Sequence, residues 1–189
     1  MSTTEEVRTS NSGRSVAIGA AAGLAVGLAA NLFRKAAVQS PTVFAGNWDV
    51  ALAAEHAAAL RIFDLIERTN DAATRRRATL LAQLKHAVGK HAFQEENIIY
   101  AMMRDHKLTE AADHLNHEHG YVKQFFFDLT EMAKDDPAWL PKVREFRVMI
   151  ESHMREEESD LFPRLRAELS DEQNNHVTAA MNKEGFKLA

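Results

Sequence analysis

The sequence predicts an all-α protein, an up-down-up-down four-helix bundle with a short C-terminal helix and an N-terminal Ala/Gly-rich segment. From Asn47 onward, apolar residues recur every three or four positions, and the alternation typical of strands is absent. No proline occurs between Trp48 and Asp136, so helices in this region meet no proline break. Long helices joined by short connections favour antiparallel neighbours, and hence a bundle.

The amino-acid composition limits the kinds of functional site that such a bundle can contain. The 189 residues include nine histidines but no cysteine, and 46% of them are hydrophobic, which excludes a disordered chain. The absence of cysteine excludes disulfides, thiol catalysis, thiolate zinc sites and iron–sulfur clusters. A bound metal must therefore be held by imidazole and carboxylate. The formal net charge of −4 predicts no nucleic-acid partner.

Residues 1–46 are predicted to contain a polar N-terminus, an apolar helix over 15–33 and a linker. The segment 15–33 has no charged residue, and its glycines at 19, 23 and 27 share one helix face, where small residues permit close helix approach. Its length is near the minimum for crossing a bilayer, although Ala and Gly make it only weakly hydrophobic. Membrane association, self-association, a loose soluble extension and a targeting role all stay open. The expected location is cytoplasmic, with membrane association through 15–33 as the alternative.

The bundle domain is predicted at 47–169, with helices over 47–69, 72–105, 109–134 and 137–168. Thr109 can cap the third helix. Asp136 and Pro137 suit the N-cap and first position of the fourth. In the C-terminal segment 170–189, Ser170 and Gln173 resemble a capping box for a short helix, which Gly185 is suited to end.

Histidine interrupts the apolar stripe of each long helix, and glutamate follows four residues later on two of them. The stripes are Leu52, His56, Ala59, Phe63 and Ile66; Leu84, Val88, His91, Glu95, Ile98 and Met102; Leu115, His119, Val122, Phe126 and Leu129; and Phe146, Ile150, His153, Glu157 and Leu161. Burying ionised carboxylates among aliphatic side chains is costly unless a partner compensates them. Two carboxylates and four imidazoles in one core therefore predict a bound cation.

The spacing of these residues predicts two metals. A separation of four residues, as in His91–Glu95 and His153–Glu157, places both side chains on one helix face. The pattern repeats along the chain: Glu55-His56 precedes His91 by 35 residues, and Glu118-His119 precedes His153 by 34. Two matched helix pairs predict a pseudo-twofold bundle in which two metals share two carboxylates and have two imidazoles each. A di-iron carboxylate centre has this arrangement.

These residues resemble the hemerythrin-like (HHE cation-binding) domain over roughly 47–168, including the stretch Glu157–Pro163. The resemblance implies a four-helix bundle with a non-haem di-iron site that binds or reacts with dioxygen, nitric oxide or peroxide. It implies His56, His91, His119 and His153 as ligands, with Glu95 and Glu157 as bridges. Oxygen-carrying hemerythrins have a further histidine four residues before the third-helix ligand, where this chain has Leu115. The resulting open position favours redox chemistry or sensing over reversible oxygen carriage.

Several other polar residues are assigned less specific roles. His117 is the substitute ligand if His119 points elsewhere. His114 and His117 are otherwise expected to be solvated or to lie beside the ligands. Glu96 and Glu158 are expected to be surface or hydrogen-bonding groups. Glu55 and Glu118 are interpreted as surface charges, with orientation of an imidazole as the minor alternative. Tyr100 is expected to pack in the core, with a hydrogen bond near the site as the alternative.

The sequence thus predicts a non-haem di-iron protein that binds, senses or reacts with dioxygen, nitric oxide or peroxide. Two iron ions are the expected cofactor, and manganese also suits nitrogen and oxygen ligands. One alternative is a di-iron oxidase, peroxidase or nitric oxide reductase, although no acid/base pair apart from the metal ligands is evident and no catalytic residue is assigned. The other is a structural or interaction bundle, tethered through 15–33, whose metal only supports folding.

Overall fold

A computed structural model describes residues 30–189, which form an all-α bundle without a β-strand in that range. The described part of α1 covers 30–45, and α2 is Trp48–Glu67. Helix α3 runs through Thr74–Gln94, a π-helical turn at Glu95–Ile99 and Tyr100–Asp105. Helix α4 is Thr109–Glu131. Helix α5 runs through Trp139–Glu156, a π-helical turn at Glu157–Leu161 and Phe162–Glu168, and α6 is Asp171–Leu188. The predicted fold class is confirmed.

The helix ends differ in detail from the predicted ones. Ser170 and Gln173 form both hydrogen bonds of the capping box, as predicted. Thr109 is the first residue of α4 and does not cap it. Helix α5 begins at Trp139, two residues after the predicted start, and the Asp136 carboxylate accepts a hydrogen bond from the Ala138 amide in the turn before it. Helix α6 continues through Gly185, so the prediction that this glycine ends the helix is wrong.

The two π-helical turns begin at Glu95 and Glu157, the two glutamates on the inward stripes. A π turn inserts one extra residue into the helix, so the inward face beyond it shifts by one position. In α3 the fully buried residues beyond Glu95 are consequently Ile99, Tyr100 and Met103. The predicted Ile98 and Met102 are only half-buried, and that part of the stripe is corrected. Short π turns are frequent at functional sites.

A polar layer divides the hydrophobic core into two clusters. One cluster contains Phe63 and Phe146, and the other contains Trp48 and Phe162. On α2, His56 lies between Leu52 of the second cluster and Ala59 of the first, and the other three stripes change cluster at their histidine in the same way. The layer is therefore closed by apolar side chains above and below, which lowers the local dielectric and strengthens its electrostatic interactions.

Helix α1 packs against α6 and the bundle, although the sequence predicts a linker after residue 35. Gln39 and Thr42 are each only 3% exposed, and Lys90 donates hydrogen bonds to both. A Cβ atom at Gly185 would lie 2.7 Å from the Gln39 side chain, so glycine there permits the close approach of α1. Gly46, at φ 120°, forms the sharp connection to α2.

The predicted apolar segment 15–33 lies largely outside the described residues, as does the polar N-terminus before it. Among residues 30–189, no helix combines the length and the apolar character needed to cross a membrane. The division of the chain at 46 and 169 stays a prediction.

Candidate metal centre

All six predicted ligand residues converge in the polar layer between the two apolar clusters, and none is more than 6% exposed. They are His56 on α2, His91 and Glu95 on α3, His119 on α4, and His153 and Glu157 on α5. His119 points inward and His117 is exposed, so His117 does not take its place.

The two inner glutamates each face one histidine from either half of the bundle. Glu95 places Oε1 3.1 Å from Nε2 of His91 and Oε2 3.4 Å from Nε2 of His119. Glu157 places Oε2 3.4 Å from Nε2 of His56 and Oε1 3.4 Å from Nε2 of His153. The six groups thus form two adjoining clusters, one around His56 and His91 and the other around His119 and His153. Both carboxylates span the two clusters.

A second set of four carboxylates surrounds the imidazoles. Each Nδ1 faces a glutamate from the neighbouring helix: His56 and Glu158 at 2.7 Å, His91 and Glu55 at 3.2 Å, His119 and Glu96 at 3.0 Å, and His153 and Glu118 at 2.7 Å. The interpretation of Glu55 and Glu118 as surface charges is therefore wrong, whereas Glu96 and Glu158 have the hydrogen-bonding role that was one of their two predicted roles. A residue next to an inward-facing one points about 100° away, which here brings its carboxylate against the adjacent helix of the bundle even where, as at Glu158, the side chain stays partly exposed. The repeated Glu-His and Glu-Glu pairs were the sequence signal for this ring.

Hydrogen bonds at Nδ1 fix the direction of each Nε2. An Nδ1–H that donates to a carboxylate leaves an Nε2 lone pair directed inward, and this is the usual preparation of a histidine for metal binding. The Nε2 atoms of His56 and His91 lie 2.8 Å apart, so two such lone pairs would repel unless a proton or a cation lies between them.

Three buried atoms of the centre lack a hydrogen-bond partner among the described residues: Glu95 Oε1, Glu157 Oε2 and His153 Nε2. Leaving such groups unpaired in a core is costly. All three belong to the inner set of six groups, so a cation at this centre would satisfy them. The donor set of nitrogen and oxygen atoms suits a first-row transition metal.

Without a metal, the interactions between imidazoles and carboxylates in the centre stabilise the charged forms of both. Burial alone would lower the pKa of His91, but the charge of Glu95 and hydrogen bonds with Glu55 raise it to about 10. Burial also opposes protonation of His119, whose pKa is raised to about 9 by hydrogen bonds with Glu95 and Glu96. For Glu55, burial is outweighed by His91 and Lys90, which lower the pKa to about 2. The centre therefore attracts positive charge, and without metal it holds protons.

Tyr100 does more than pack. Its hydroxyl is buried and donates a hydrogen bond to Glu157 Oε1 at 3.1 Å, and it also lies 3.1 Å from Nε2 of His119. The corresponding residue of the other half is Phe162, which stacks on His56. The favoured packing role of Tyr100 is thus incomplete, and the alternative of a hydrogen bond near the site agrees with the structure. The two halves of the centre differ here by one hydroxyl group.

A cavity of about 600 Å³ between α3 and α4 reaches the centre from one side. Its walls are mostly apolar and include Val88, Gly89 and Phe126, while His119 and Glu96 line it where it meets the centre. Small molecules can therefore approach the His119 side of the centre through an apolar opening.

Comparisons with known proteins agree with this geometry. The family model described as "Hemerythrin HHE cation binding domain" matches residues 49–165, more than half of the chain. An uncharacterized hemerythrin-like protein of Schizosaccharomyces pombe is 24% identical over 99 residues, which cover 51% of this chain and 49% of that protein. The chain thus spans about half the length of this curated relative. No solved structure matches the chain significantly.

Proposed function

The chain belongs to the family of hemerythrin HHE cation-binding domains, and from this premise we propose that it holds two iron ions and binds, senses or reacts with a small oxidant. The observation that carries the proposal is the pair of glutamates, each spanning one histidine from either half of the bundle. His56 and His91 would hold one ion, and His119 and His153 the other. Glu95 and Glu157 would bridge them.

When bound, iron would supply redox chemistry and a coordination position open to dioxygen, nitric oxide or peroxide. The protein's own groups prepare for this in two ways. The outer carboxylates hold each imidazole in one tautomer and orientation, and the apolar clusters on both sides exclude water from the ligands. The Tyr100 hydroxyl is a proton donor that touches His119 and Glu157 on the side that the cavity reaches.

The proposal is tested by metal analysis and visible spectroscopy of protein produced with iron. We expect about two irons per chain, as for a carboxylate-bridged pair, and ferric absorption that changes when dioxygen, nitric oxide or peroxide is added to the reduced protein. Manganese is measured in the same samples. Less than half an iron per chain, or a spectrum insensitive to all three oxidants, contradicts the proposal.

Access through the cavity can be tested at Gly89. A Cβ atom added at Gly89 meets no atom within 4 Å and Gly89 lines the cavity, so the ring in Gly89→Phe should occupy the cavity without displacing α3. We expect unchanged iron content and a several-fold slower reaction of the reduced protein with peroxide in stopped-flow measurements. Gly120→Phe is the matched control, because Gly120 also has open space around it but does not line the cavity. Equal rates for the two variants would show that oxidants enter elsewhere.

A further inference from the structure

We infer that His114, Glu118 and Glu156 form a third cation site, for a divalent transition ion such as Zn²⁺, at the surface between α4 and α5. Nε2 of His114 lies 3.6 Å from Glu118 Oε1 and 3.6 Å from Glu156 Oε2. These distances are too long for hydrogen bonds. They are close to the roughly 3.4 Å that separates ligand atoms around a tetrahedral ion with bonds of about 2.0–2.2 Å. His114 and Glu118 lie one turn apart on α4, and Glu156 joins them from α5.

The internal repeat supplies an independent reason to expect a cation here. Glu118 corresponds to Glu55, since each immediately precedes a ligand histidine and each uses Oε2 to contact Nδ1 of a histidine on the next helix. The other oxygen of Glu55 pairs with the Lys90 ammonium. The position equivalent to Lys90, immediately before His153, is Ser152, which carries no charge.

Glu118 Oε1 accordingly has no lysine or arginine partner among residues 30–189. One half of the bundle neutralises its outer carboxylate with a side-chain cation, whereas the other half offers three metal-ligating groups at the equivalent place. A bound ion would supply at Glu118 the positive charge that Lys90 supplies at Glu55. Zn²⁺ and its first-row neighbours suit one imidazole with two carboxylates, and water would fill the remaining positions.

The surface site is linked to the buried centre through Glu118. A cation on Oε1 draws negative charge away from the carboxylate and weakens it as the acceptor for His153 Nδ1. Occupancy of the surface site should therefore change the donor strength of His153. Binding itself needs no iron in the buried centre; only this coupling depends on the proposed function.

The test is a calorimetric titration of the iron-loaded full chain with Zn²⁺, followed in parallel by its visible spectrum. We expect one zinc ion per chain, with a shift of the ferric absorption as the site fills. His114→Ala should weaken zinc binding by at least about tenfold, because it removes one of three ligands. His114 is 53% exposed, so the variant should keep its fold and its iron.

His117→Ala is the matched control, because His117 is an exposed histidine on the same helix that contacts Tyr121 instead of the site. It should bind zinc like the parent. If iron does not load, the zinc content at saturation is measured for the parent and for His114→Ala. A difference of one ion per chain then supports the surface site independently of the proposed iron centre. Equal zinc binding by the parent and His114→Ala, or an equal loss in His117→Ala, overturns the inference.

Discussion

Glu95→Ala is expected to lower bound iron from about two ions per chain to well below one. Glu95 faces a histidine of each cluster, so its removal takes a ligand from both metal positions at once. It also leaves His91 and His119 without the buried negative charge that raises the pKa of both imidazoles. Iron per chain, measured by metal analysis after gel filtration, gives the result.

Two further variants separate loss of metal from loss of fold. Glu95→Gln keeps the volume of the side chain but not its charge, and should lose iron nearly as completely while keeping the helical circular dichroism signal. Glu96→Ala removes only the carboxylate that orients His119, so metal affinity should fall by about 10–100-fold and most iron should remain under saturating conditions. If Glu95→Ala retains about two irons per chain, Glu95 does not bridge.

Removal of the metal should make stability strongly dependent on pH. The pKa values of His91 and His119 are raised to about 10 and about 9 from an ordinary value of 6.5. A raised pKa means that the folded state binds the proton more tightly than the unfolded state. This contribution is fully present below pH 6.5 and is lost as the pH rises towards 9–10. Burial of these groups makes the loss as large as several kcal/mol in the free energy of unfolding.

At acidic pH, the dependence of stability on pH has the opposite sign: the free energy of unfolding falls as the pH falls. The pKa of Glu55 is lowered to about 2, so its contribution is present above pH 4.5 and is lost as the pH falls towards 2. Metal-free protein should therefore be most resistant to urea between about pH 4.5 and 6.5. In the loaded protein a cation replaces the protons on the imidazoles, so the alkaline loss should largely vanish.

Urea unfolding of metal-free and loaded protein at about pH 3, 5.5, 7.5 and 9 measures the acidic and the alkaline loss of stability. In the metal-free protein, His91→Gln should remove much of the loss of stability between pH 6.5 and 9. His176→Ala, on the outer face of α6, should leave that loss unchanged. Loading with metal at pH 7.5 should also release protons into a weakly buffered solution. A metal-free protein whose stability rises from pH 6.5 to 9 would contradict the charged state inferred for the centre.

Every residue predicted on the inward stripes of α2 and α4 is buried, because each stripe lies on an uninterrupted α-helix with a period of 3.6 residues. The stripe of α3 was predicted correctly as far as Glu95 and failed beyond it, at Ile98 and Met102. A π turn has no periodicity signal of its own, because its extra residue is tolerated only where neighbouring helices and inner ligands hold it. Helix α1 was missed for a related reason: its buried residues, Gln39 and Thr42, are polar and gain their partners only from the bundle.

The sequence by itself determined the all-α class, the order of the four long helices and the identity of the six inner groups, because helical periodicity is local and shows which side chains share a face. Only the tertiary structure decided what those groups meet. The ring of outer glutamates, the hydroxyl of Tyr100 beside His119, and the surface cluster of His114, Glu118 and Glu156 all join residues from different helices. Such contacts depend on the rotation and depth at which helices pack. Those are set by the shapes of the whole core, which no single stretch of sequence contains.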